Sequence, residues 1–179
     1  ALMGEILRDE RDALDRAADR VAGQIAADRL VHVYGPGGHS NLAAQEIFFR
    51  AGGLMHVSAI LDEGTLLSNG ALRSMAVERT PGYGRIVVAD RRLGEGDLLI
   101  LVNAYGINAA LIDAAIEAKA RGVFLIGVSS RRHAARTAPQ LPARMQRHST
   151  AHGCVRIRAG TPTKQQPHNT SNTNNKPNN

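Results

Sequence analysis

The run Leu98-Leu-Ile-Leu-Val102 carries no polar residue, and it breaks into Asn103-Ala-Tyr-Gly-Ile-Asn108 before helical spacing resumes. A short aliphatic run bounded by turn residues and followed by a helix reads as a strand buried on both faces. The chain repeats this pattern. Leu30-Val-His-Val-Tyr34 ends in Gly35-Pro-Gly-Gly38, His56-Val-Ser-Ala-Ile-Leu61 runs into Asp62-Glu63-Gly64, and Val123-Phe-Leu-Ile-Gly-Val128 ends in Ser129-Ser130. Arg85-Ile-Val-Val-Ala89 reads as a weaker strand. Helical spacing predicts a helix over 1–28, where Leu2, Ile6, Leu14, Ala17, Val21 and Ile25 recur between charged residues. It predicts a second over about 41–50, capped by Ser40 or Asn41 and ended by Gly52-Gly53, and a third over 69–79, stopped by Pro81-Gly82. A fourth spans 108–121, with Asn108 as its cap and Gly122 at its end. Strands alternating with helices at this spacing specify an α/β domain, a parallel sheet with helices on both faces. In such sheets ligands bind at the carboxyl ends of the strands.

Composition narrows the setting. With Cys154 as the one cysteine and no Trp, the chain has no internal disulfide framework and no multi-cysteine zinc site. No cluster has metal-ligand spacing, so no metal is expected. No apolar run approaches the roughly 20 residues that span a bilayer. The start, ALMGEILRDERDALDRAADR, is charged throughout and unlike a signal peptide, so a cytoplasmic setting with no membrane partner is the expectation. The basic character belongs to one end. Residues 131–179 hold nine Lys and Arg and no acid, against 13 basic and 16 acidic residues in 1–130. This splits the chain into a domain at 1–136 and a basic, polar tail at 137–179. The segment TPTKQQPHNTSNTNNKPNN has no aliphatic residue and is expected to be disordered. Cys154-Val-Arg-Ile157 is the tail's one strand-like stretch. Nine positive charges without aromatic interleaving offer only nonspecific attraction to nucleic acid.

Two strand-to-helix loops are the candidates for chemistry. In Gly35-Pro36-Gly37-Gly38-His39-Ser40, glycines let backbone approach a ligand, and the following helix start offers free N–H groups. A tight turn with no ligand is the plainer reading. The segment matches two glycines of the dinucleotide pattern G-x-G-x-x-G but has Ser40 where the third belongs, which argues against that cofactor. The second loop, Asn103 to Asn108, should lie beside the first. Two such loops facing one crevice point to a ligand site, although each asparagine alone is as well explained by turn and cap chemistry. The expected position of a ligand's anionic end is between the helix starts near Ser40 and Asn108.

Tyr34 to Gly53 (YGPGGHSNLAAQEIFFRAGG) and Gly96 to Ser130 (GDLLILVNAYGINAALIDAAIEAKARGVFLIGVSS) resemble the two halves of a sugar-isomerase (SIS) domain. The intervening LDEGTLLSNGALRSMAVER is similar to a poorly characterised SIS-domain family related to phosphoheptose isomerases and N-acetylmuramic acid 6-phosphate etherases. The likeness covers about residues 10–133. It implies a three-layer αβα sandwich with a flavodoxin-like parallel sheet, usually dimeric or tetrameric, that binds phosphosugars without a cofactor. Members are isomerases, etherases, amidotransferase halves or sensors. Carried over, Gly37, Gly38 and Ser40 match the first loop. Asn103, Tyr105, Gly106 and Asn108 fall on the second, whose usual pattern S-x-S-G-x-[ST] keeps only its glycine here. The hydroxyl cradle is thus reduced, which leaves room for an unphosphorylated or carboxylated sugar. Past Ser130 the tail resembles a truncated or frameshifted ending of the domain.

Moving a proton between adjacent carbons needs a base, and eliminative ether cleavage needs an acid and base pair. His39 in the first loop, Glu46, Glu63 and Glu78 are the catalytic candidates, with His56 and Asp62 behind them. Three have a plain structural alternative: a polar turn for His39, a pair with Arg50 for Glu46, and a pair with Arg79 or Arg73 for Glu78. The expected partners are a small sugar or sugar phosphate and a second copy of the chain. Ile47, Phe48 and Phe49 point in several directions around one helix and need outside cover. Binding without turnover, as a sugar-phosphate sensor or regulatory subunit, is the rival function.

Overall fold

The computed structural model describes residues 2–130 and 154–158. Five parallel strands form one sheet in the order β2-β1-β3-β4-β5: β1 Val31–Tyr34, β2 Val57–Ile60, β3 Leu98–Val102, β4 Phe124–Ser129 and β5 Cys154–Arg158. The register pairs Val31 with both Val57 and Leu98, and Leu98 with Phe124. β5 lies on the outer edge of β4, with Cys154 opposite Leu125. It is the strand-like stretch of the basic tail; the rest of 137–179, where disorder is expected, lies outside the described residues.

Side chains alternate across the sheet and build two cores. On one face Val31, Val33, Leu98 and Ile126 pack with Ala13, Ala17 and Ala44. These belong to α2 (Arg11–Ala26) and α3 (Asn41–Ile47). On the other, Tyr34, Ile60, Leu99, Leu101 and Leu125 pack with Val87, Val88, Leu111, Ala114 and Ala118. These come from α5 (Tyr83–Asp90) and α6 (Ala109–Ala120). The result is the expected three-layer α/β sandwich. The helix after β1 covers one face and the helix after β3 covers the other, so the chain direction switches between these neighbouring strands. A crevice opens there at their carboxyl ends.

Several boundaries differ from the sequence reading. The expected first helix is two helices, α1 Leu2–Asp9 and α2, broken at the buried Glu10, whose backbone (φ −116°, ψ 17°) leaves the helical region. The third helix is α4 Ala71–Glu78, entered through a 3-10 turn at Leu67–Asn69. α3 ends at Ile47, three residues early, because Phe48 is extended. The expected strand at Arg85–Ala89 is instead part of α5. A short apolar run does not distinguish strand from helix; here Gly84, Val87 and Val88 fall on one helical face against α6.

That α5–α6 contact sets two expectations. A Cβ on Gly84 would run into the Ala110 carbonyl and the Ala114 amide, which are helix backbone and cannot swing aside. Gly84→Ala should therefore destabilise the fold by about 1–3 kcal/mol in a denaturant titration; an unchanged midpoint would show that the helices part freely. Asp113, fully buried on α6, accepts the Gly82 N–H at the start of α5. Burial lifts its carboxyl above the usual carboxylate range, against the opposing pull of Gly82 N–H and Arg85. The folded chain thus holds this proton more tightly than the unfolded chain. The stabilisation is complete below the ordinary pKa and is lost as pH rises through the raised one. Wild type should gain stability relative to Asp113→Asn as pH falls from about 7 toward about 4. A difference that does not change with pH would refute the raised value.

Candidate functional site

The two loops at the switch point meet over a cleft of about 350 Å³, and α4 closes its third side. Gly37, Gly38, His39 and Ser40 contribute from the first loop. Asn103, Tyr105, Ile107 and Asn108 contribute from the second, and Ser74, Met75, Glu78 and Arg79 from α4. Leu67 and Ala71 add an apolar wall.

Two buried asparagines tie the loops together. Asn103 Nδ2 donates to the Pro36 carbonyl (3.2 Å) and to Ser40 Oγ (3.1 Å). Its Oδ1 accepts the N–H groups of Tyr105 (3.1 Å) and Gly106 (2.7 Å). Asn108 Nδ2 donates to the same Pro36 carbonyl (2.9 Å) and to Glu78 Oε2 (3.3 Å). Its Oδ1 accepts the Leu111 N–H (2.8 Å), so Asn108 caps α6 as expected. The amides of both residues are thus engaged within the chain, although both still line the cleft. Ser40 departs from expectation: neither it nor Asn41 caps α3 through its side chain. The chain enters α3 through a turn in which Asn41, Leu42 and Ala43 N–H groups already bond to Gly37, His39 and Ser40 carbonyls. The Ser40 hydroxyl serves the loop junction instead.

A second network holds α4 in place. The Thr65 carbonyl accepts from Asn41 Nδ2 (2.9 Å) and from Ser74 Oγ (2.7 Å). Asp62 Oδ2 in turn accepts from the Thr65 N–H and hydroxyl (both 3.1 Å), and Oδ1 from the Tyr83 hydroxyl (2.9 Å). Burial, reinforced by Asp62, pushes the Tyr83 hydroxyl up to about 12. Asp62 is therefore committed to the loop after β2. Ser74 lies one helical turn before Glu78, so pinning Ser74 fixes the height at which Glu78 enters the cleft.

Of the carboxylates weighed from the sequence, Glu78 is the one that reaches this cleft. It is half-buried, and burial raises its pKa; the Asn108 hydrogen bond, Arg79 and His39 pull the other way. His39 is exposed at the rim. Glu46 lies on the outer side of α3, paired with Arg50. Glu63 is exposed beyond β2 and does not line the cleft. His56 stands at the amino end of β2, opposite the cleft, 3.2 Å from Asp28. The sequence reading missed Ser74, Met75 and Arg79. Their signal was available: Ser74 and Glu78, four apart in an expected helix, share a face. Among the described residues no cluster could hold a metal ion and no helix is long and apolar enough to cross a membrane.

A parallel sheet with strand order 2-1-3-4-5, helices on both faces and a cleft at the β1–β3 switch point defines a flavodoxin-like α/β domain. The SIS domain family matches residues 1–130, and the chain belongs to that family. A UPF0309 protein of Halalkalibacterium halodurans is 38% identical over 125 residues, covering 70% of this chain and 50% of its own length. One from Listeria monocytogenes is 35% identical over 134 residues, covering 75% and 54%. The chain thus spans about half the length of the curated relatives it matches. The fold is similar to a phosphoheptose isomerase from Francisella tularensis, with a TM-score of 0.59 and 17% identity over 89% of this chain and 80% of that one. It is also similar to the phosphoheptose isomerase of Neisseria gonorrhoeae, with a TM-score of 0.53 and 18% identity over 89% and 83%.

Asn103→Ala would remove the acceptor of the Tyr105 and Gly106 N–H groups and the donor to Ser40 Oγ. It should cost about 1–3 kcal/mol of stability by urea denaturation. A cost below about 0.5 kcal/mol would show that the loops hold without this residue.

Proposed function

We propose that the cleft binds a sugar or sugar derivative and that Glu78 and His39 move protons on it, as in an aldose–ketose isomerisation or a related lyase reaction without a cofactor. The observation that carries this reading is the half-buried carboxyl of Glu78, raised by burial and lining one cleft with His39. A raised carboxyl is a better proton carrier near neutrality than an ordinary one. In the isomerisation, ionised Glu78 takes a proton from the carbon beside the carbonyl and returns it to the former carbonyl carbon. His39, at the rim, moves the matching proton between the two oxygens. The SIS family and the likeness to phosphoheptose isomerases support a sugar as the ligand class.

Binding without turnover is the second reading. It is favoured by the second loop, where asparagine amides committed to the loop junction stand in place of free hydroxyls. A second copy of the chain is proposed to cover Ile47, Phe48 and Phe49, which are exposed at the end of α3; Phe49 is 95% exposed.

A thermal-shift screen of hexoses, heptoses and amino sugars, free and phosphorylated, tests the ligand class. Saturation at about 100 times Kd should add about 2.7 kcal/mol of stability. With a turned-over sugar in hand, Glu78→Gln should lower kcat by about 10²–10⁴-fold while affinity largely survives. His39→Ala should lower kcat with little change in melting temperature. No shift with any sugar would sink the proposal, and binding with no turnover would establish the second reading.

A further inference from the structure

We infer that the ligand turns an uncharged, hydroxyl-bearing end toward the junction of the two loops, and that the Glu78 carboxylate keeps phosphate out of that position. This rests on the sugar-cleft reading and narrows its substrate class. A phosphate seated at the junction would need converging donors and no competing anion. Three of the N–H donors there are already used. Asn103 Oδ1 takes the Tyr105 and Gly106 N–H groups of the second loop, and Asn108 Oδ1 takes the Leu111 N–H in the first turn of α6.

The anion is already there as well. Glu78 Oε2 accepts from Asn108 Nδ2, and it lies so close to Gly37 that a Cβ on that glycine would overlap it. The carboxylate therefore occupies the space between the first loop and the cap of α6, where a ligand's anionic end was expected. An ionised carboxylate is an acceptor, and its complement is a row of sugar hydroxyls. Arg79 and His39 are the basic side chains that act on it. They sit at the mouth, both exposed, and temper the repulsion without supplying a closed anion site.

Inorganic phosphate titrated into isotopically labelled protein, read at the amide signals of Gly37 and Gly38 and the side-chain amide of Asn108, tests the inference. Wild type should show no saturable response at these signals. Glu78→Gln, which keeps the side chain's size and its bond to Asn108, should bind phosphate at least about tenfold more tightly, because one negative charge beside the anion is gone. Glu78→Ala should behave alike, and a melting curve for each variant confirms that it folds. Wild type binding phosphate as tightly as the variants would overturn the inference. So would variants that remain unresponsive, since Glu78 would then not be what excludes the anion. The probe is phosphate itself, so a failed sugar screen would count against the sugar-cleft reading while leaving this outcome to be read separately.

Discussion

The carbonyl of Pro36 is the point on which the site hangs. It is fully buried at the top of β1 and accepts a hydrogen bond from each of two asparagines that belong to the loop after β3. A buried carbonyl without partners costs free energy comparable to a lost hydrogen bond. The two loops therefore gain by meeting there. They leave neighbouring parallel strands toward helices on opposite faces of the sheet, which would otherwise draw them apart. The same two asparagines close the second loop on itself and cap α6, so loop shape, helix start and cleft wall are one hydrogen-bonded unit.

Glu78 is joined to this unit at second hand. Its helix is held by the Thr65 carbonyl through Ser74, and its carboxyl is held by Asn108. A carboxyl carried on a short helix, anchored one turn earlier and steered at its tip, is confined to a narrow range of positions. Burial then sets its acidity, and the opposing contributions from Asn108, Arg79 and His39 limit how far it rises. Position and protonation thus come from the same few contacts.

The second loop shows what has been exchanged. Where the SIS pattern carries serine and threonine hydroxyls, this chain carries Asn103, Tyr105 and Asn108, and the two asparagines are the buried ones. A hydroxyl stays free to turn toward a ligand, whereas a buried amide with both ends bonded does not. The loop gains rigidity and a strong cap, and it gives up donors. The fold is shared with phosphoheptose isomerases at 17–18% identity, so the architecture tolerates wide change in sequence.

The sequence by itself determined the layers. Aliphatic runs such as Leu98–Val102, ended by turn residues and followed by helical spacing, can bury their surface only as parallel strands between helices. That reasoning also placed both loops at the carboxyl ends of the strands, and Asn108 at the start of α6. It did not separate Glu78 from Glu46 and Glu63, since a carboxylate's role depends on which side of its helix or loop meets the cleft. Arg85–Ala89 was misread for a related reason: a run that short fits either period, and only packing of Gly84 against the backbone of α6 decides for helix. The use of Asn103 and Asn108 was likewise a tertiary matter. Their partners at Pro36 lie 67 and 72 residues away, and no local pattern reports a bond made across that distance.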